Sequence, residues 1–199
     1  MEFASGKELM EYTNALIHSR QNVSPRRLAE PGPSDQQCQD ILGTAAAAPD
    51  HGQLVPWRFV IVPKHRRELL AEVFGLALLD RDPNATPEQV ESAREKAYRA
   101  PFLMLAIARL AGTDTQTEIG NSERLVSFGC AIQNILLSAH GAGFGTGLTS
   151  GQAMASPRLR GLFSLSGHEQ AVCCINIGTV TKRKPARLRP DMASFVTSL

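Results

Sequence analysis

The chain has 199 residues, 43% hydrophobic, 20% charged and 6% aromatic, and its 21 basic and 19 acidic residues leave a net charge of +2. A chain this long buries roughly 70% of its unfolded surface, so it can hold a core without metal or disulfide staples, and its ordinary charge and hydrophobicity exclude wholesale disorder. The near balance of charge argues against a dedicated nucleic-acid binder, and no apolar run reaches the ~18 residues that span a bilayer.

Residues 1–10 carry Glu2, Lys7 and Glu8 and no apolar h-region, so they do not read as a secretory signal. Leu9, Tyr12 and Leu16 have helical spacing within Lys7–His18. Pro25 and then Pro31-Gly32-Pro33 break the pattern. Ser34 with Gln37 forms a capping box ahead of a helix stripe of Cys38, Ile41, Leu42 and Ala45, which should end before Pro49. Residues 50–55 read as a loop, Trp57–Val62 as a short strand and Lys64–Leu79 as a helix. Thr86, Pro87 and Gln89 supply a cap, a first-turn proline and a capping-box partner for a helix to about Arg99. Phe102–Ala108 is a nearly continuous apolar run, the pattern of a strand covered on both faces.

Asn121–His140 is the longest apolar-periodic element, with Leu125, Phe128, Ile132, Ile135, Leu136 and Ala139 on one stripe. It meets the glycine run Gly141–Gly147. Ser156-Pro157 opens a short helix that stops near Gly161, and Ala171–Ile177 reads as another covered strand. The expected order is α α β α α β α β with a tail, helices around one sheet, in a single domain over residues 1–199. The cysteines Cys38, Cys130, Cys173 and Cys174 form no CxxC pair and read as reduced, buried thiols in a cytoplasmic protein.

Four features could carry chemistry. Ser19-Arg20-Gln21-Asn22 puts a guanidinium and two amides together, a set that binds oxyanions and carbonyls or, more blandly, caps a helix end. Residues 48–53 form a proline-bracketed loop with Asp50, His51 and Gln53, leading into Pro56-Trp57; Trp57 also reads as a core anchor. Asp50-His51 lacks metal-ligand spacing. The glycine run follows a helix and opens a strand-like stretch, the reverse of the dinucleotide fingerprint, so a Rossmann site is rejected. These glycines permit close approach of either another backbone or a flat ligand. Lys182, Arg183, Lys184, Arg187 and Arg189 form a basic segment without an acid, either a solvated or partner-wrapping tail or a phosphate clamp.

Taken together, Ser19–Ser24, Arg27–Pro31, Ala48–His51, Pro56–Phe59, Ala100–Phe102, Gly129–Ala131, Gly143–Gly145 and Leu148–Gly151 make the sequence resemble the nitroreductase family of FMN-dependent oxidoreductases, in particular its small single-domain NAD(P)H nitroreductase branch. The resemblance implies an α+β fold, helices around a central, mostly antiparallel sheet, in a homodimer with a C-terminal exchange arm and FMN in a groove at the subunit interface. It implies cofactor contacts from Arg20, Gln21, Asn22, His51, Leu148, Thr149 and Ser150, and from Arg187 or Arg189 at the phosphate. No side chain is expected to be catalytic and no metal is expected. The implied reaction is a ping-pong hydride transfer from NAD(P)H by way of FMN to a small electrophilic acceptor, without nucleic-acid or membrane partners. Dehalogenase or flavin-fragmenting chemistry on the same fold, or a non-catalytic flavin-binding module, are the alternatives. Three departures bear on redox tuning. Arg20-Gln21-Asn22 replaces the usual two arginines and serine, Val55 and Gln53 stand where a glutamine and an asparagine are usual, and Pro25-Arg26 reads as an insertion.

Overall fold

The computed structural model describes residues 5–112, 118–185 and 188–199. Helix α1 (Gly6–Ser19) starts under the Ser5 hydroxyl, which accepts from the Glu8 amide, yet none of its 14 residues is buried. Helix α2 (Asp35–Gly43) opens with the expected Ser34–Gln37 capping box. Helix α3 (Arg67–Arg81) follows a 3-10 turn at Lys64–Arg66 and packs beside α4 (Pro87–Arg94). The reciprocal Thr86–Gln89 capping box opens α4, which relaxes into a 3-10 turn over Glu95–Tyr98. Helix α5 (Asn121–Gly141) is the longest, and α6 (Pro157–Leu162) is short.

Among the described residues five strands form one sheet: β1 (Leu28–Ala29), β2 (Trp57–Ile61), β3 (Phe102–Arg109), β4 (Gly145–Thr149) and β5 (Glu169–Val180). All their pairings are antiparallel. The central strand is β5. β3 lies along one edge, opposite residues 169–177, β4 lies along the other, opposite residues 174–178, and the short β1 pairs with residues 179–180. The expected α+β class with an antiparallel sheet therefore holds.

Two strands are absent from the expected element order, although the glycine run reads as opening a strand-like stretch. β1 is only two residues long between prolines, and β4 contains Gly145 and Gly147, which supply no apolar signal. β5 also runs further at both ends than the apolar run Ala171–Ile177.

The sheet is covered on both faces, as the continuous apolar run of β3 requires. Met104, Ala106, Cys173, Ile175 and Ile177 pack with Phe128, Ile135 and Ala139 of α5. Leu103, Leu105, Ile107 and Cys174 pack with Leu70, Ala71 and Phe74 of α3 and Leu159 of α6. A bulge lies where Ala106 faces Cys173 and Ile107 faces Ala171, so Val172 is left without an opposite residue. That extra residue restores the facing of β5 on the second half of the ladder. Trp57 is a core anchor, as expected. Burial raises the thiols of Cys173 to about 11 and Cys174 to about 12, so both are protonated packing groups near neutral pH. No helix among the described residues is long and apolar enough to cross a membrane.

Candidate functional site

The site is organised by the turn that ends α5. Gly143 takes φ +89°, a left-handed conformation that glycine adopts without a Cβ penalty, and so turns the chain from α5 into β4. Along β4, a Cβ on Gly145 would lie 2.4 Å from Val180 Cγ2, and one on Gly147 would lie 2.1 Å from the Val23 carbonyl oxygen. Of the two possible neighbours, backbone or flat ligand, the structure has backbone at Gly147. The segment after α1 lies against the free edge of β4, where Val23 N donates to Thr146 O at 2.8 Å and Leu148 N donates to Asn22 Oδ1 at 3.0 Å. Asn22 and Thr146 form an isolated parallel bridge.

Arg20 sits at the C-cap of α1, in extended conformation and half-buried. Arg189 returns from the far end of the chain and donates through Nη2 to the Arg20 carbonyl at 3.1 Å. Burial first, and then the Arg189 charge, pulls the Arg20 guanidinium below its usual value. Beside them lies a cleft of about 110 Å³ lined by Gln21, Asn22, Arg27, His140, Lys182 and Arg183 among others, and by no acidic residue. Ser19 Oγ and His140 Nε2 are hydrogen-bonded at 2.7 Å, which ties the end of α1 to the end of α5. Burial, Arg20 and Arg183 hold the His140 imidazole below the usual histidine value, so it adds little charge at neutral pH. Thr146 lies in the same wall, 2% exposed, and its hydroxyl has no hydrogen-bond partner among the described residues. The arrangement is a concentration of fixed positive charge and amide donors, which suits a phosphate or other oxyanion.

Next to the cleft, β4 delivers Leu148, Thr149 and Ser150 to the surface. Leu148 is 37% exposed. The buried amide of Asn176 donates to Gly147 O at 3.0 Å and to Thr149 Oγ1 at 3.1 Å, and Ser150 Oγ donates to Val172 O at 2.8 Å. The two hydroxyl side chains are thus tied to the sheet, so this strand end is held rigidly.

The structure joins Arg189 to Arg20 and Leu148 to Asn22 near the basic cleft that Gln21 also lines, while Thr149 and Ser150 line a second cavity beside α3 and α4. It brings His51 to neither. His51 lies in the 3-10 turn His51–Gln53, and its Nδ1 is 2.8 Å from Glu123 Oε2, at the start of α5. The basic cleft is at the other end of that helix, about 25 Å away at 1.5 Å per residue. Arg187 lies outside the described residues. Lys182 and Arg183 stood out in the sequence as part of the basic run. Arg27, from the Arg27–Pro31 match, and His140, at the end of the long apolar helix, join them through the packing of the α1 end, β1 and the α5 end.

Among known proteins, a model described as the nitroreductase family matches residues 20–179. The Escherichia coli (strain K12) protein named "Putative NAD(P)H nitroreductase YdjA" is 30% identical over 191 residues, covering 94% of this chain and 99% of that protein. A nitroreductase-like family protein from Bacillus cereus shares the fold with TM-score 0.80 and 16% identity, over 100% of this chain and 98% of that chain. A nitroreductase with bound FMN from Desulfitobacterium hafniense shares it with TM-score 0.65 and 22% identity, over 94% and 97% of the two chains.

Proposed function

The chain belongs to the nitroreductase family, and from that premise we propose that it is an FMN-dependent NAD(P)H oxidoreductase reducing a small electrophilic acceptor. The observation that carries the reading is the acid-free cationic cleft, which runs through Asn22 into the edge of β4. Its donor set fits a flavin mononucleotide: guanidiniums for the phosphate, amides for the carbonyl edge of a ring, and a fixed strand end for the ring to lie along. Arg20 and Arg189 would hold the phosphate, with Arg27 and Arg183 adding charge. The remaining amide groups of Gln21 and Asn22 would meet the ring edge, flanked by Leu148, Thr149 and Ser150.

Bound FMN supplies a two-electron relay between NAD(P)H and the acceptor. The protein's own part is to orient the partners and exclude competing reactions. Solvent supplies protons, and no side chain acts as a general acid or base. Gln53 and Val55, where the family commonly has asparagine and glutamine, would leave fewer hydrogen bonds to the ring and shift its potential.

The working unit is a homodimer. His51 and Arg20 stand at opposite ends of α5, so one protomer cannot offer both to one ligand, whereas a second copy can. Unburied apolar side chains support the same reading: Leu9, Met10, Tyr12 and Ile17 on α1, Val126 on α5, and Phe195 and Val196 on the tail, all at least 44% exposed. The tail would then wrap the partner as an exchange arm.

Because NAD(P)H and the acceptor would exchange electrons with the flavin in turn, initial rates measured at several fixed acceptor concentrations should give parallel double-reciprocal lines against NADPH. Lines that intersect would mean both substrates are bound together, and the reading of alternating transfer would be wrong.

A further inference from the structure

On the sheet face opposite α5, a cavity of about 610 Å³ lies between the α3–α4 pair and the residues that follow β4. Its size is that of a small-molecule site, ~300–1,000 Å³. Its floor is apolar, with Phe74, Leu103 and Cys174 each no more than 8% exposed. Three cations stand in its wall: Arg81, Lys96 and Arg99. Arg26 adds its charge from beside Pro25, which is itself part of the wall.

Among the described residues none of these four cations forms an ion pair. Other cations beside α3 do: Arg94 pairs with Glu72 and Glu91, and Arg158 pairs with Asp80. Asp82 is the one carboxylate in the wall, and it too forms no ion pair. Burial and then Arg99, Arg81 and Arg26 pull the Lys96 ammonium below its usual value, and Glu95 offsets part of the like-charge repulsion at Arg99. Like charges collected at the mouth of an apolar cavity repel one another and strengthen the attraction for an anion. Ser150 and Gly151 close the other side of the cavity, so it shares a wall with the strand end assigned above to the flavin.

We propose that this cavity selects an electron acceptor with a planar apolar body and a carboxylate, the body seated over Phe74 and Leu103 and the carboxylate held by Arg81, Lys96 and Arg99. The substrate class is thus an aromatic or unsaturated acid, and this assignment rests on the oxidoreductase reading above.

The test uses 4-nitrobenzoate and its neutral counterpart 4-nitrobenzamide. The purified protein should bind 4-nitrobenzoate, followed by calorimetry, about tenfold more tightly than the amide. Lys96→Gln, at an exposed position, should abolish that preference while leaving FMN affinity unchanged, and Arg81→Gln should reduce it independently. With flavin bound, kcat/KM should follow the same ratio. Equal binding of the two probes, or a preference that survives both substitutions, would overturn the proposal. Displacement of nitrobenzoate by NADPH but not by NADH would also overturn it, by assigning the cations to the dinucleotide's extra phosphate. The binding measurement needs no turnover, so an inactive protein that discriminates the probes would refute the oxidoreductase reading and leave the anion pocket standing.

Discussion

Replacing Arg20 with alanine is expected to weaken FMN binding by roughly 10- to 100-fold. A hydrogen bond to a charged group is worth about 1.5–3 kcal/mol, and each 1.4 kcal/mol is about tenfold in affinity. Arg20 is the half-buried member of the cationic group, so solvent screens its charge less than that of the exposed Arg189. The substitution leaves its backbone carbonyl in place, and so preserves the bond from Arg189. Arg20→Lys should recover part of the loss, because an ammonium keeps the charge without the planar fork. Titration of flavin fluorescence reads the effect, and an unchanged affinity in Arg20→Ala would remove the phosphate role.

The second large effect concerns stability. Arg67 is 3% exposed and forms no ion pair among the described residues; its guanidinium instead donates to four backbone carbonyls. The distances are 2.7 Å to Val62, 2.6 Å to Ala97, 3.2 Å to Ala100 and 3.1 Å to Pro101. It therefore fastens the start of α3 to the turn that leads into β3. Arg67→Ala would leave those carbonyls facing a void at a cost of about 3–5 kcal/mol. For a chain of this size that lowers Tm by roughly 6–20 °C. Calorimetry of Arg67→Ala beside Arg20→Ala should separate the two roles, with a large drop in melting temperature for the first and a small one for the second. A Tm for Arg67→Ala within a degree of the native protein would contradict the fastening role.

Signals local in the chain were readable in advance. The boxes at Ser34 and Thr86 lie within four residues of sequence, so the α2 and α4 starts fell where the side chains put them. The nearly continuous run Phe102–Ala108 announced a strand covered on both faces, and all of it but Phe102 is buried. The strand at Gly145–Thr149 showed only as a strand-like stretch opened by glycines, because glycine there serves the neighbour's backbone. Its partner, the Val23 carbonyl, is more than 120 residues away in sequence.

The site divides along the same line. Arg20, Asn22 and the Leu148–Ser150 segment could be named from a family resemblance, and of these Asn22 meets Leu148 at the edge of β4. Arg27 and His140 join them only through long-range packing. The cations at Arg81, Lys96 and Arg99 look in sequence like ordinary solvent-facing helix charges. Only the α3–α4 packing turns them toward one cavity.

We propose above all that the cationic cleft holds a flavin reduced by a nicotinamide cofactor. The visible spectrum of the purified protein, mixed with FMN and then with NADPH under nitrogen, tests it most directly. Flavin bands that remain with the protein through gel filtration, bleach on adding NADPH and return on adding an acceptor are the expected result. A protein that stays colourless after incubation with FMN would contradict it.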